Sequence, residues 1–161
     1  MTSRARVLGH AAHQMLIVFP LGLLATAVVF DVLALTLDRP TFAEVAFWMI
    51  AAGIVGGVVA SLPGWIDWSA IPADTRAKRV GLVHGLGNTV VLALFVASWL
   101  LRRDAPESPD TLALVLGFAG GGISLVTGWL GGELVDRLGV GVDDGAHLDA
   151  PNSLSGRPAR S

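Results

Sequence analysis

The sequence predicts an all-α integral membrane protein, an antiparallel four-helix bundle with both termini in the cytoplasm. Of its 161 residues, 53% are hydrophobic and only 15% are charged, whereas a soluble domain has about 25% charged residues. The charged residues leave four apolar runs, at 15–37, 43–66, 80–101 and 111–132. Each run is about 22 residues long, and a helix needs about 20 apolar residues to cross a bilayer. These runs are therefore the predicted spans.

The distribution of Lys and Arg predicts the orientation of the spans, because loops rich in these residues stay in the cytoplasm. Only Arg39, Arg102 and Arg103 fall on the side of the first and third loops. The other eight fall in the amino-terminal segment, the second loop and the carboxyl-terminal tail: Arg4, Arg6, Arg76, Lys78, Arg79, Arg137, Arg157 and Arg160. We therefore expect a multi-pass protein of the cytoplasmic membrane, in contact with the lipid bilayer and with two short loops outside.

The chain divides into a transmembrane domain, residues 1–137, and a tail, residues 138–161. Gly, Asp, Pro, Ser and Arg dominate the tail, which has few bulky apolar residues to bury. We therefore expect the tail to be disordered in the cytoplasm.

Composition and motifs exclude several functional classes. The net charge of −2, with no basic run, argues against nucleic-acid binding. Because cysteine is absent, disulfides, thiolate metal sites and iron–sulfur clusters ligated by this chain are excluded. No G-x-S-x-G, H-E-x-x-H, Walker or dinucleotide-binding pattern is present, so we expect no catalytic residues and a non-enzymatic role.

Small residues in the spans predict close helix packing. Gly120, Ser124, Gly128 and Gly132 recur every four residues in the fourth span. Small residues at such spacing let helix backbones approach each other in a membrane. We therefore expect a tight antiparallel bundle.

Few ionisable or amide side chains remain near the spans, and burying such a group is costly unless it is paired or used. Those that remain come from four elements, and the predicted orientation places them toward the cytoplasmic side. They are His10 and His13 at the start of the first span, Asp67 after the second, His84 and Asn88 at the start of the third, and Glu133 at the end of the fourth. Spacings of three and four place each helical pair on one helix face.

This cluster predicts a cofactor or metal site between helices, a common location for one in a helical bundle. Two histidines from different helices, His84 with His13 or His10, provide axial nitrogens for a haem b between apolar walls. Asn88 is the further cofactor-binding residue of this interpretation.

A divalent-metal site is a second interpretation. The histidines, His10, His13 and His84, act in it together with Glu133 or Asp67. Imidazole nitrogens with one carboxylate form a donor set that divalent ions accept.

A third interpretation needs no cofactor. The histidines then lie at the headgroup boundary, Asn88 bonds across helices, and the carboxylates pair with Arg76, Arg79 or Arg137. The chain would be a structural or assembly subunit of a larger membrane complex, or a homo-oligomer.

Asp31 is the only charged residue well inside a predicted span. An intramembrane carboxylate is a functional-site hypothesis by default. Asp31 pairs with Arg102 or Arg103, accepts hydrogen bonds from a neighbouring helix, stays protonated, or serves a small ion or proton pathway.

Several short motifs follow one another in order along the chain. They are G-H-A-A-H at 9–13, F-P-L-G at 19–22, F-D at 30–31, L-P-G-W-I-D at 62–67, Arg79 with His84 and Asn88, and G-W-L-G-G-E-L at 128–134. Together, over roughly residues 9–142, they resemble the motifs of domain-of-unknown-function family 2231, a bacterial membrane family.

The resemblance implies a small four-span protein of a bacterial membrane whose molecular role is unassigned. Some relatives are joined to Rieske-type iron–sulfur domains, which implies redox chemistry and a redox protein or Rieske-type partner. In this chain Ala11 and Gln14 replace the prolines that follow the two opening histidines of the family. Leu138 stands where relatives often carry a histidine, which removes one extra ligand.

Overall fold

The structure, a computed structural model, describes residues 1–160 and confirms the predicted fold class. Within these residues, the stretches long and apolar enough to cross a membrane are Ala12–Leu37, Pro40–Ala70, Arg76–Arg102 and Thr111–Arg137. The helices are α1 (Ala12–Leu16), α2 (Val18–Leu37), α3 (Pro40–Ala70), α4 (Arg76–Arg102) and α5 (Thr111–Gly132), with a π-helical turn at Glu133–Arg137 and a 3₁₀ turn at Ser153–Ser155. α1 and α2 together make the first span, which is interrupted at Ile17.

Short connections between the helices make each one antiparallel to the next. α2 ends at Leu37, and the next residue, Asp38, adopts the left-handed conformation with φ of 51°. Pro40 begins α3, where its missing N–H costs no helical hydrogen bond. Thr75 caps α4 and Asp110 caps α5, and each side chain accepts a hydrogen bond from the backbone N–H three residues later, at 3.1 and 2.7 Å. The four spans therefore run up, down, up and down.

The bundle has two ends. The terminal end carries residues 1–11, the loop 71–75 and the tail from residue 138. The opposite end carries the turn at 38–39 and the loop 103–110. The orientation of the bundle in the bilayer, with the terminal end facing the cytoplasm, stays a prediction.

The core lies between α2, α3 and α4. It consists of Leu24, Ala27, Ala46, Ile50, Val91 and Phe95. Large apolar side chains also cover the outer surface, where Leu125 is 78% exposed and Val55 is 65% exposed. An apolar outer surface on long helices is the arrangement expected for contact with lipid.

The glycine stripe of α5 lies only partly inside the bundle. A Cβ atom on Gly120 would lie 2.9 Å from Cε2 of Phe95, so this position packs closely against α4. A Cβ on Gly128 or Gly132 would meet nothing within 4 Å. Because an α-helix has 3.6 residues per turn, a four-residue spacing rotates by about 40° at each step. The later glycines, Gly128 and Gly132, therefore face away from the other helices of the bundle.

Residues 1–11 and the tail pack against each other at the terminal end. An antiparallel hairpin pairs β1 (Arg6–Val7) with β2 (His10–Ala11). The Gly141 N–H donates to the Met1 carbonyl oxygen at 2.9 Å, and Arg6 forms an ion pair with Asp143 at 2.7 Å. The tail, for which composition predicts disorder, has few regular elements but makes defined contacts with the amino-terminal residues.

Candidate functional site

His13 is in α1, and its side chain packs against α3. Its Nδ1 atom lies 2.8 Å from the carbonyl oxygen of Ala60 in α3. Pro63, within the same turn of α3, has no N–H and interrupts the helical hydrogen bonds there. A Cβ atom on Gly64 would lie only 2.9 Å from His13 Nδ1, so the imidazole occupies the space that a side chain at position 64 would fill.

His84 has the same arrangement between α4 and α5. Its Nδ1 atom lies 2.8 Å from the carbonyl oxygen of Thr127 in α5. A Cβ atom on Gly131 would lie 3.1 Å from His84 Cε1. Each histidine therefore packs on a glycine and bonds to the backbone of the helix beside its own.

These hydrogen bonds fix the tautomer of a neutral imidazole. A carbonyl oxygen only accepts, so Nδ1 carries the hydrogen in both His13 and His84, and Nε2 carries the lone pair. The Asn88 amide nitrogen lies 3.5 Å from Nδ1 and 3.3 Å from Nε2 of His84. Because Nδ1 donates to Thr127, the lone pair that can accept from this amide is that of His84 Nε2. Nε2 is the nitrogen of each ring through which a metal would be bound, and at His84 a ligand would displace the Asn88 amide.

Asn88 links α4 to α5 beside His84. Its amide donates to the His84 carbonyl oxygen at 3.0 Å, and its Oδ1 accepts a hydrogen bond from the Thr127 hydroxyl at 2.9 Å. Asn88 therefore supports the backbone that holds His84, and its polar atoms are occupied by protein partners.

The structure brings His13 and His84 together. Their ring centroids are 6.2 Å apart and their planes are perpendicular. Two imidazoles that bind one metal from opposite sides have centroids about 6 Å apart, since each metal–nitrogen bond is about 2.0 Å and Nε2 lies about 1 Å from the ring centre. The separation of the two rings is close to that value, and it also lies within the range of ordinary edge-to-face contact between two rings.

The carboxylates of the predicted metal site are engaged elsewhere. Asp67, near the end of α3, accepts hydrogen bonds from residues 3–5. Glu133 pairs with Arg76 at 2.7 Å, one of the arginines that the interpretation without a cofactor names. Throughout residues 1–160, no three His, Cys, Asp or Glu side chains lie where they could share a metal ion.

His10 lies apart from the other two histidines. It is in β2 and exposed, and its Nε2 atom lies 3.3 Å from the Ser153 hydroxyl of the tail. Of the two opening histidines, His13 is the one that faces the bundle.

The donor set fits haem better than a bare divalent ion. Haem supplies four nitrogens itself and needs only axial ligands from the protein. A zinc site takes at least three protein ligands. His13 and His84 provide two nitrogens, which is the number that a six-coordinate haem needs.

A second polar cluster lies toward the opposite end. Arg102 donates to both carboxylate oxygens of Asp31, at 2.7 and 2.8 Å, and neither side chain is more than 1% exposed. Arg102 Nε also donates to the Ser98 hydroxyl at 3.2 Å, and this hydroxyl donates to the Ala113 carbonyl oxygen at 2.7 Å. The expected pairing of Asp31 with Arg102 or Arg103 is therefore observed with Arg102.

The third span predicted from the sequence ends at residue 101, whereas Arg102 is the last residue of α4 and is fully buried. A signal for this was present in the sequence. Ser98 stands four residues earlier on the same helix face, and Gly117 in α5 leaves room for the guanidinium group.

Comparison with known proteins gives one match. The family described as "Predicted membrane protein (DUF2231)" matches residues 9–144. No curated protein and no solved structure matches the chain. The matched region contains all four spans and both histidines of the pair.

Proposed function

We propose that this chain, which belongs to the DUF2231 family of predicted membrane proteins, binds one haem b through His13 and His84 and transfers electrons at the membrane. One observation carries the proposal. Both histidines donate Nδ1–H to a backbone carbonyl oxygen at 2.8 Å, and their rings lie 6.2 Å apart.

The hydrogen bonds at Nδ1 prepare both rings for ligation. A histidine that binds a metal commonly donates its other ring N–H to a carbonyl or carboxylate, which fixes the ring orientation and raises the basicity of the ligating nitrogen. Ala60 and Thr127 provide these carbonyl groups from α3 and α5. The two rings are therefore oriented by helices other than their own.

A bound haem supplies one-electron exchange. His13 and His84 would both be ligands of the haem and would leave no ligand position for a substrate, which favours electron transfer over catalysis. The partner that we propose is a redox protein, a Rieske-type protein by the resemblance noted above. The location that we propose is the cytoplasmic membrane of a bacterium, with the site toward the cytoplasmic side.

An absorption spectrum tests this function. The full chain is expressed with haem supplied, purified in mild detergent and compared with His13→Ala and His84→Ala. We expect a Soret band in the wild-type protein, and we expect each substitution to shift or abolish it. His10→Ala and His147→Ala are the matched controls and should retain the band, since both residues are exposed and lie outside the pair. Folded wild-type protein without a Soret band would contradict the proposal.

The second candidate is a structural or assembly subunit without a cofactor. It is favoured by the internal pairing of the remaining polar groups: Asp31 with Arg102, Glu133 with Arg76, and Asn88 with Thr127. Elemental analysis of the same purified sample separates the candidates, since haem iron, another metal and no metal give three different results. The Asp31–Arg102 pair also favours a structural role for Asp31 over a proton or ion pathway, because Arg102 occupies both oxygens.

A further inference from the structure

The buried carboxylate of Asp67 binds the amino-terminal segment. Asp67 is only 8% exposed. One of its oxygens accepts a hydrogen bond from the Ser3 hydroxyl at 2.7 Å, and the other accepts from the backbone N–H groups of Arg4 and Ala5 at 2.7 and 3.1 Å. Within residues 1–160, no Lys or Arg forms an ion pair with Asp67. All its hydrogen-bond donors therefore come from three consecutive residues of the amino-terminal segment.

That segment leads directly to His13. The Ala5 carbonyl oxygen accepts a hydrogen bond from the Ala12 N–H at 2.8 Å, which closes the hairpin between them. His13 follows and bonds to Ala60. Ala60 precedes Asp67 by seven residues, about two helical turns, so the segment is attached to one face of α3 at two points.

α1 cannot hold His13 in place alone. It is the five-residue start of the first span, and the interruption at Ile17 separates it from α2. Its amino-terminal end has no side-chain cap. The position of His13 therefore depends on contacts made by the residues before it.

We infer that Asp67 is a positioning residue for His13: it fixes residues 3–5 to the end of α3, and the hairpin transmits this restraint to the imidazole. The inference rests on the proposed function in so far as His13 is a ligand. The restraint itself concerns the polypeptide alone and holds in protein without haem. It also gives Asp67 a role other than the metal ligation predicted from the sequence.

The test measures the accessibility of each histidine in haem-free protein. Diethylpyrocarbonate acylates exposed neutral imidazole, and peptide mapping gives a separate rate for His13 and His84. Asp67→Ala removes all three hydrogen bonds, so we expect the rate at His13 to rise by about tenfold or more. The rate at His84 should stay within about twofold, because its hydrogen-bond partners, Thr127 and Asn88, lie in α5 and α4 and not in the amino-terminal segment.

Two variants separate positioning from general loosening. Asp67→Asn keeps an oxygen that accepts the Arg4 and Ala5 N–H groups, so we expect a rate at His13 close to that of the wild type. Ser3→Ala removes one hydrogen bond without changing α3, so we expect an intermediate rise in the acylation rate at His13. This variant takes the place of Asp67→Ala if Asp67→Ala does not fold. The matched control is Glu133→Gln, another acidic residue at the terminal end, which should leave His13 unchanged.

The outcomes are distinct from those of the haem test. An unchanged His13 rate in Asp67→Ala, or in Ser3→Ala if that variant is the one that folds, would overturn the inference even if the wild type binds haem. An equal rise at His13 and His84 would also overturn it, because the variant would then loosen the whole terminal end. A selective rise at His13 would support it even in a protein that shows no Soret band.

Discussion

A histidine ring can reach the backbone of a neighbouring helix only where that helix leaves room for it. Gly64 leaves that room for His13, and Gly131 leaves it for His84. Both glycines lie in apolar stretches, where the sequence indicates only helix packing. Their second role becomes visible when the ring atoms are placed beside them.

Gly64→Ala should displace His13. The new Cβ would lie 2.9 Å from Nδ1, and overpacking of this kind costs about 1–3 kcal/mol. Since about 1.4 kcal/mol corresponds to a tenfold change in affinity, haem affinity measured by titration of the haem-free protein should fall roughly ten- to a hundredfold. Gly128→Ala is the matched control, because a Cβ there meets nothing within 4 Å. Equal affinities for the two variants would contradict this account of the ring position.

Among the elements, the Asp31–Arg102 ion pair joins three helices. Asp31 is in α2, Arg102 ends α4, and Ser98 extends the network to the Ala113 carbonyl oxygen of α5. Removing one partner of a buried ion pair is costly because the other charge remains buried, whereas replacing both by apolar residues is often neutral. Because of this asymmetry, we expect the stability of the bundle to depend on Asp31 and Arg102 as a pair rather than on either residue alone.

Asp31→Asn should strongly destabilise the bundle. We expect the free energy of unfolding in detergent to fall by about 3–5 kcal/mol, because Arg102 loses its counter-charge. Arg103→Ala, at the next and exposed position, should have little effect.

The double variant Asp31→Leu with Arg102→Leu should recover most of the lost stability. Both charges are then absent, and two apolar side chains fill the site. A double variant as unstable as Asp31→Asn would show that the charges do not act as a pair.

The tail is attached to the amino-terminal hairpin through an ion pair that depends on pH. The Arg6 guanidinium, hydrogen-bonded to Asp143, lowers the pKa of this carboxyl group below its ordinary value of 3.8. Because the pKa of Asp143 is lower in the folded state, the ion pair stabilises the attachment of the tail at pH values above 3.8. This stabilisation is lost as the pH falls through the lowered pKa.

Acidification should therefore release the tail. Amide hydrogen exchange at Gly141, whose N–H is bonded to Met1, should accelerate beyond its intrinsic pH dependence as the pH falls below about 4. Asp143→Asn should exchange faster already at neutral pH and show no such acid transition. Protection in the wild type that is independent of pH from about 5 to about 2 would contradict the attachment.

The sequence predicts the helices better than it predicts which side chains contact each other. All four spans follow from their apolar runs, because crossing a bilayer requires a minimum apolar length. Membrane depth, which the sequence also indicates, correctly places Asp67 and Glu133 at the same end as the histidines. Depth does not specify which side chains meet, since that depends on helix rotation, and both carboxylates face other partners. The Asp31–Arg102 pair was one of two pairings expected from depth and charge.

For the whole molecule, the uneven distribution of Lys and Arg predicts the orientation in the bilayer. The terminal end, which carries the second loop and both termini, should face the cytoplasm. A reporter protein that works only in the cytoplasm should be active when it is fused after Ser161. The same reporter should be inactive when it is inserted in the loop 103–110. The opposite pattern would invert the bundle and place the histidine pair toward the outer side.

The haem content of the purified chain decides whether His13 and His84 bind haem. The measurement is haem per folded polypeptide in detergent, made on the wild type and on the double variant His13→Ala with His84→Ala. We expect about one haem per wild-type chain, because His13 and His84 would be the two protein ligands of a single haem, and none in the double variant. A folded wild-type protein without haem, or a double variant with as much haem as the wild type, would contradict it.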